Sequence, residues 1–164
     1  NAVFVGEVTS DLVISKLKSG NFPIIIPGTH RVPTLNDADA WQAYKMPAKL
    51  VNAGLLVGMY YDASGGTWRT RNLPFNAGNA VAFGLSKTDA LKMITLNNAK
   101  ILGIDNLVGS IEKGKQATFV VSQGDILDMK TSKIERAFIK GVEVILEDKQ
   151  KRLSEKYLEK YGVK

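Results

Sequence analysis

The chain has 164 residues, 45% of them hydrophobic, no cysteine, and a formal net charge of +6 from 22 Lys and Arg against 16 Asp and Glu. Without cysteine there is no disulfide, thiolate nucleophile or thiolate metal site, so any metal falls to carboxylate and imidazole ligands. No apolar run approaches the ~18 residues of a membrane-spanning helix, and the first residues lack the basic-then-apolar order of a secretory signal, so no membrane partner is expected.

Ala2-Val-Phe-Val5 is a short apolar run suited to a buried strand, and Asp11 to Lys18 follows with helical spacing, Ser10 or Asp11 being placed to cap it. After Ser19-Gly20-Asn21, Phe22-Pro-Ile-Ile-Ile26 reads as a second apolar strand, ended by Pro27-Gly28. Met46 to Gly54 predicts a helix with Pro47 in its first turn and Gly54 at its end, and Leu55 to Tyr61 a third strand. Apolar strands alternating with helices indicate α/β architecture, with parallel strands buried on both faces.

From Leu73 to Gly103 the spacing is helical in two pieces, with Ser86-Lys-Thr-Asp89 capping the second. Beyond Gly103 the pattern changes to short runs, Thr118–Ser122, Ile134–Ile139 and Val142–Leu146, that predict antiparallel strands with a tight hairpin turn at Lys140-Gly141. The tail from Asp148 predicts a helix docked through Leu153, Tyr157 and Tyr161. Its lysines and arginine, interrupted by Glu155 and Glu159, read as a solvated face; with no aromatic-basic recognition motif, no nucleic-acid partner is expected. Three regions follow: 1–103, 104–147 and the terminal helix 148–164.

Chemistry-bearing residues gather after the strands. Asp62 directly follows Gly58-Met-Tyr-Tyr61; it is either a strand-end functional carboxylate or a turn former opening Ala63-Ser-Gly-Gly66. His30, the one imidazole of the chain, lies beyond the second strand, either contacting substrate, supporting a residue that does, or serving as an ordinary loop residue. Arg69 and Arg71 stand in the loop after Asp62, where a guanidinium can bind a carboxylate in a bidentate fashion. Phosphate-binding glycine loops and a Gly-x-Ser-x-Gly turn are absent. One His and one Asp fall short of the three or four ligands a metal site needs.

Three phrases carry a family resemblance: Asn72-Leu-Pro-Phe-Asn-Ala-Gly-Asn-Ala-Val-Ala-Phe-Gly84, Leu91-Lys-Met-Ile-Thr-Leu-Asn-Asn-Ala-Lys-Ile-Leu-Gly103 and Val108-Gly-Ser-Ile-Glu-Lys-Gly-Lys-Gln-Ala-Thr-Phe-Val-Val121. Together they resemble the carboxy-terminal end of a metal-dependent amidohydrolase, on the imidazolonepropionase-like branch. The resemblance implies the last three β/α units of a (β/α)₈ barrel plus the carboxy-terminal strands of a small β-sandwich. It implies for Asp62 the roles of metal ligand and proton acceptor, and a small-molecule amide as substrate. The His-x-His pair and the later metal-binding histidines of that family are missing, and a complete barrel takes about 250 residues.

Two readings compete. In one, the chain is part of a hydrolase that cleaves C–N bonds of cyclic amides with a water activated by a divalent metal, zinc being expected, and is inactive alone with no tightly bound metal. In the other it is a degenerate or free-standing binding or scaffold module. Unpaired strand edges predict a homo-oligomer in either case.

Overall fold

The structure, a computed structural model, describes residues 2–33, 37–61 and 67–162. Its first half alternates strands and helices: β1 (Phe4–Val5), α1 (Asp11–Ser19), β2 (Ile24–Pro27), α2 (Gln42–Asn52) and β3 (Val57–Tyr60). A 3₁₀ turn over Thr67–Asn72 then leads into α3 (Leu73–Val81), α4 (Lys87–Ile94) and α5 (Leu96–Leu102). The strands form a parallel sheet in the order β1-β2-β3, with Phe4 opposite Ile24 and Ile24 opposite Val57. The α/β expectation holds.

Residues two apart along a strand share a face. Ile24 and Ile26 of β2, with Val57 and Met59 of β3, enter one core with Ile14 and Leu17 of α1, Met46 and Leu50 of α2, Ala77 and Ala80 of α3, and Met93 of α4. The other face is less covered. Ile25 is half-buried and Val5 of β1 is 61% exposed, so burial of every strand on both faces is not observed. β1 spans two residues and has one neighbour, too little contact to bury it.

α2 begins four residues earlier than its proline suggests. Asp39 opens it, accepting from the Trp41 N–H at 3.0 Å, and Pro47 lies inside the helix. An interior proline removes one helix hydrogen bond and costs about 3 kcal/mol. Burial of Ala43, Met46, Pro47, Ala48 and Leu50 on one face outweighs this, since Met46 and Leu50 alone contribute roughly 1.5–3 kcal/mol each.

The stretch from Leu73 to Leu102 forms three helices where the spacing predicts two. Ser86 caps α4 as expected, accepting from the Asp89 N–H at 3.0 Å and donating to its Oδ2 at 2.7 Å. The additional break is at Thr95 (φ −130°, ψ −96°), whose N–H turns to Lys92 O while its hydroxyl donates to Leu91 O at 2.7 Å. The side chain thus takes over the carbonyl that the continuing helix would have used.

The second half is an antiparallel meander of β4 (Phe119–Gln123), β5 (Lys133–Ile139) and β6 (Val142–Val144). Lys140 and Gly141 both have positive φ (52° and 81°), as the tight hairpin turn requires. The turn between β4 and β5 inserts Leu127 into the main core, and α3 accommodates it at Gly78, where a Cβ would overlap the Leu127 carbonyl. The final helix, α6 (Lys149–Tyr161), buries none of its residues, and Leu153, Tyr157 and Tyr161 are exposed. The expectation of a docked tail is therefore not met. Lysine, arginine and glutamate side chains dominate the helix, and among the described residues nothing covers its apolar stripe.

Candidate active site

Parallel strands bring their carboxyl ends to the same side of the sheet, so the residues following β1, β2 and β3 are neighbours. Glu7 comes two residues after β1, and Gly28, Thr29, His30 and Arg31 follow β2. Asp62 comes two residues after the last residue of β3 and lies outside the described residues.

Arg31 ties two strand ends together. Its guanidinium pairs with Glu7, and its Nε donates to Gly28 O at 3.0 Å. Burial pulls the Arg31 pKa below its ordinary value, with the charge of nearby Tyr60 acting in the opposite direction. The ion pair therefore joins the ends of β1 and β2 around one half-buried cation.

His30 is exposed at the ring and anchored at the backbone. Tyr44 of α2 meets its Nδ1 at 3.1 Å, and among the described residues Nε2 has no hydrogen-bond partner. The backbone N–H of His30 donates to Asn76 Oδ1 at 2.8 Å, and the Thr29 hydroxyl donates to Asn76 O at 2.8 Å. Tyr44 packs in turn against Trp41 and Phe83, with ring centroids at 5.7 and 5.4 Å.

Arg69 and Arg71 sit on the exposed 3₁₀ turn, their guanidiniums 5.2 and 5.8 Å from the centroid of the Trp68 ring. Among the described residues no hydrogen bond joins either arginine to His30. The link between the two groups runs through Asn76, whose Nδ2 donates to Asn72 O, the last residue of the turn, at 2.9 Å. Among the described residues no three His, Asp or Glu side chains converge as a metal site. The donors described here thus do not by themselves fit a divalent cation.

Open concavities lie elsewhere. One is lined by Gly78, Lys87, Asp125 and Leu127, where Lys87 donates to Asp125 at 2.6 Å. Another is lined by Lys18, Phe22, Gly54 and Leu56, toward the amino ends of the strands. Neither is lined by His30, Arg69 or Arg71.

Sequence reasoning missed Glu7, Arg31, Tyr44 and Asn76. Glu7 had a readable signal, since it stands as far beyond its strand as Asp62 does beyond β3. Tyr44 and Asn76 had none, because each meets His30 from a different helix.

The profile of the Amidohydrolase family matches residues 36–144. An 82-residue stretch, 49% of this chain, is 40% identical to the imidazolonepropionase of Syntrophobacter fumaroxidans and spans 19% of that enzyme. Over 114 residues, 68% of the chain, it is 31% identical to the imidazolonepropionase of Geobacillus kaustophilus, covering 25% of it. Among solved structures, an amidohydrolase from Thermotoga maritima superposes with a TM-score of 0.70 at 29% identity, over 88% of this chain and 37% of that one. The chain therefore matches only about a fifth to a quarter of the length of the two curated relatives. With the family profile spanning more than half of the sequence and imidazolonepropionases recurring among its relatives, this chain belongs to the amidohydrolase family, on its imidazolonepropionase-like branch.

Proposed function

We propose that this chain is the carboxy-terminal part of a metal-dependent amidohydrolase that hydrolyses a C–N bond, in a cyclic amide or related small molecule, with an activated water. On this reading β1, β2 and β3 are the sixth, seventh and eighth strands of a (β/α)₈ barrel, within residues 1–103. β4 to β6, within 104–147, belong to a small β-sandwich, and 148–164 form a terminal helix. The observation that carries the reading is the parallel β1-β2-β3 order with Glu7, His30 and Arg31 following its carboxyl ends, in a chain of this family. In such barrels the loops after the strands build the active site.

Within that site Asp62 is the proposed catalytic carboxylate and the one proposed metal ligand of this chain. Ionised at neutral pH, it can take the proton of the attacking water. His30 contacts substrate through Nε2, while Arg69 and Arg71 offer guanidiniums to a substrate carboxylate. Zinc is the expected ion, and it would activate the water. Because the described donors do not close a coordination sphere, the 164-residue chain alone is proposed to be inactive. The same observation favours the second reading, a non-catalytic binding or scaffold module.

Asp62→Asn in the enzyme that contains this stretch separates the two. The amide keeps the shape and loses the charge and the proton acceptance. Turnover on a panel of imidazolones, hydantoins and dipeptides should fall by on the order of 10²–10⁴ with the fold intact by circular dichroism. Near-normal turnover would remove Asp62 from the mechanism, and no hydrolysis by the parent protein would favour the scaffold reading.

A further inference from the structure

Asn76 is a buried polar residue, 3% exposed, in the first half of α3, with both ends of its side chain in use. Its Oδ1 accepts the His30 backbone N–H at 2.8 Å and its Nδ2 donates to Asn72 O at 2.9 Å, while its backbone carbonyl accepts the Thr29 hydroxyl at 2.8 Å. Thr29 is itself 1% exposed. Gly28 makes this approach possible, since a Cβ there would come within 2.7 Å of Asn76 Oδ1. Asn79, one turn further along α3, adds a longer contact from Nδ2 to the Thr29 hydroxyl at 3.4 Å.

The side chain therefore spans two loops that a substrate would meet together. One side holds the Gly28–Arg31 segment after β2, and the other holds Asn72, which ends the turn carrying Arg69 and Arg71. Tyr44 restrains the His30 ring, and Asn76 holds the backbone N–H of the residue from which that ring projects. An amide suits the position because it offers one acceptor and two donors on a short, stiff side chain without charge; a buried carboxylate would face Asn72 O with no donor.

We propose that Asn76 is a positioning residue, setting the His30 imidazole relative to the Arg69–Arg71 turn so that the two loops act as one substrate-contacting surface. The proposal depends on the amidohydrolase reading only for what that surface is used for; the bracket stands on the hydrogen bonds themselves. Its role is exerted through His30 and through Asn72.

His30 is the only histidine, so its ring nitrogens and backbone amide can be followed by ¹⁵N NMR in the full chain without assignment ambiguity at the ring. Asn76→Ala should speed exchange of the His30 amide by about tenfold beyond any general change, the size expected for one lost hydrogen bond, and should shift the ring resonances. Thr29→Val should act in the same direction, and Thr29→Ser, which keeps the hydroxyl, should restore the wild-type pattern. Ser86→Ala is the control, because it removes a helix cap away from the bracket.

Two results would overturn the proposal. One is an unchanged His30 amide and ring in folded Asn76→Ala, or in Thr29→Val should Asn76→Ala fail to fold. The other is a change that merely follows the general loss of protection seen in Ser86→Ala. Neither readout uses turnover, so an enzyme without amidohydrolase activity leaves this result standing, and a failed bracket leaves the assignment of Asp62 untouched.

Discussion

At the scale of single residues, small side chains decide how closely the helices approach the sheet. Gly58 in β3 is overlaid by Asn98 of α5, and a Cβ at that position would overlap Asn98 Oδ1 and come within 3.1 Å of Ile101 Cδ1. Asn98 Nδ2 donates to Met59 O at 2.9 Å, while its Oδ1 is buried with no hydrogen-bond partner among the described residues. Gly58→Ala must push the amide out of place, and overpacking of this kind costs about 1–3 kcal/mol. Asn98→Ala should cost roughly 1–3 kcal/mol, because the carbonyl of buried Met59 loses its donor, an effect reduced by removal of the unpaired oxygen. The double variant should then cost little more than Asn98→Ala alone. Urea denaturation of all four proteins measures the coupling, and simple additivity would show that Asn98 is not what limits the space.

At the scale of elements, the chain marks its helix boundaries with uneven clarity. Ser86 is readable because Ser-x-x-Asp places a hydroxyl where the first turn leaves N–H groups unpaired: the hydroxyl accepts the Asp89 N–H and itself donates to the Asp89 carboxylate. Ser86→Ala should lower stability by about 1 kcal/mol with the denaturant slope unchanged; a loss below a few tenths would mean that packing of Ala90 and Met93 holds α4 alone. Lys140-Gly141 is equally local, since only a two-residue loop with positive φ at both positions joins β5 to β6 at this register. Pro47 and Thr95 mislead for the opposite reason. A buried face carries α2 through its proline, and a hydroxyl bonding back to Leu91 O ends α4 at a residue with ordinary helical spacing.

At the scale of the whole molecule, the two edges of the parallel sheet differ. Ile24 N–H donates to Leu56 O, so the alternate carbonyls of Val57 and Met59 turn away from β2, and the side chains of Asn97 and Asn98 donate to them at 2.8 and 2.9 Å. The β3 edge is thus partly capped by α5, and a strand docking there would have to displace two amides. The β1 edge and the meander are more open, with Val5, Ile139 and Val142 each more than half exposed. Open edges and apolar strands recruit further copies, so the chain should run as a homodimer or larger. Light scattering after size exclusion at micromolar concentration checks this, and a monomer near 17.9 kDa, stable to dilution, would contradict it. The same sample should bind zinc weakly, because among the described residues too few donors converge to fold around the ion. A stoichiometric submicromolar site in calorimetry would show that donors from Asp62 or another copy complete one.

The sequence by itself determined the features that depend on neighbours within a few residues. These are the β-α-β alternation, the cap at Ser86, the hairpin at Lys140-Gly141 and the phrases from Asn72 to Val121 that carry the family resemblance. Apolar periodicity and short-range hydrogen bonding are enough to specify them. Only the tertiary structure decided which strand ends meet and which side chains serve them. Glu7 pairs with Arg31 across two strands, Tyr44 reaches His30 from a helix, and Asn76 reaches it from 46 residues away. Such contacts leave no periodic trace in the chain, because each rests on one polar atom brought into place by the packing of apolar residues elsewhere.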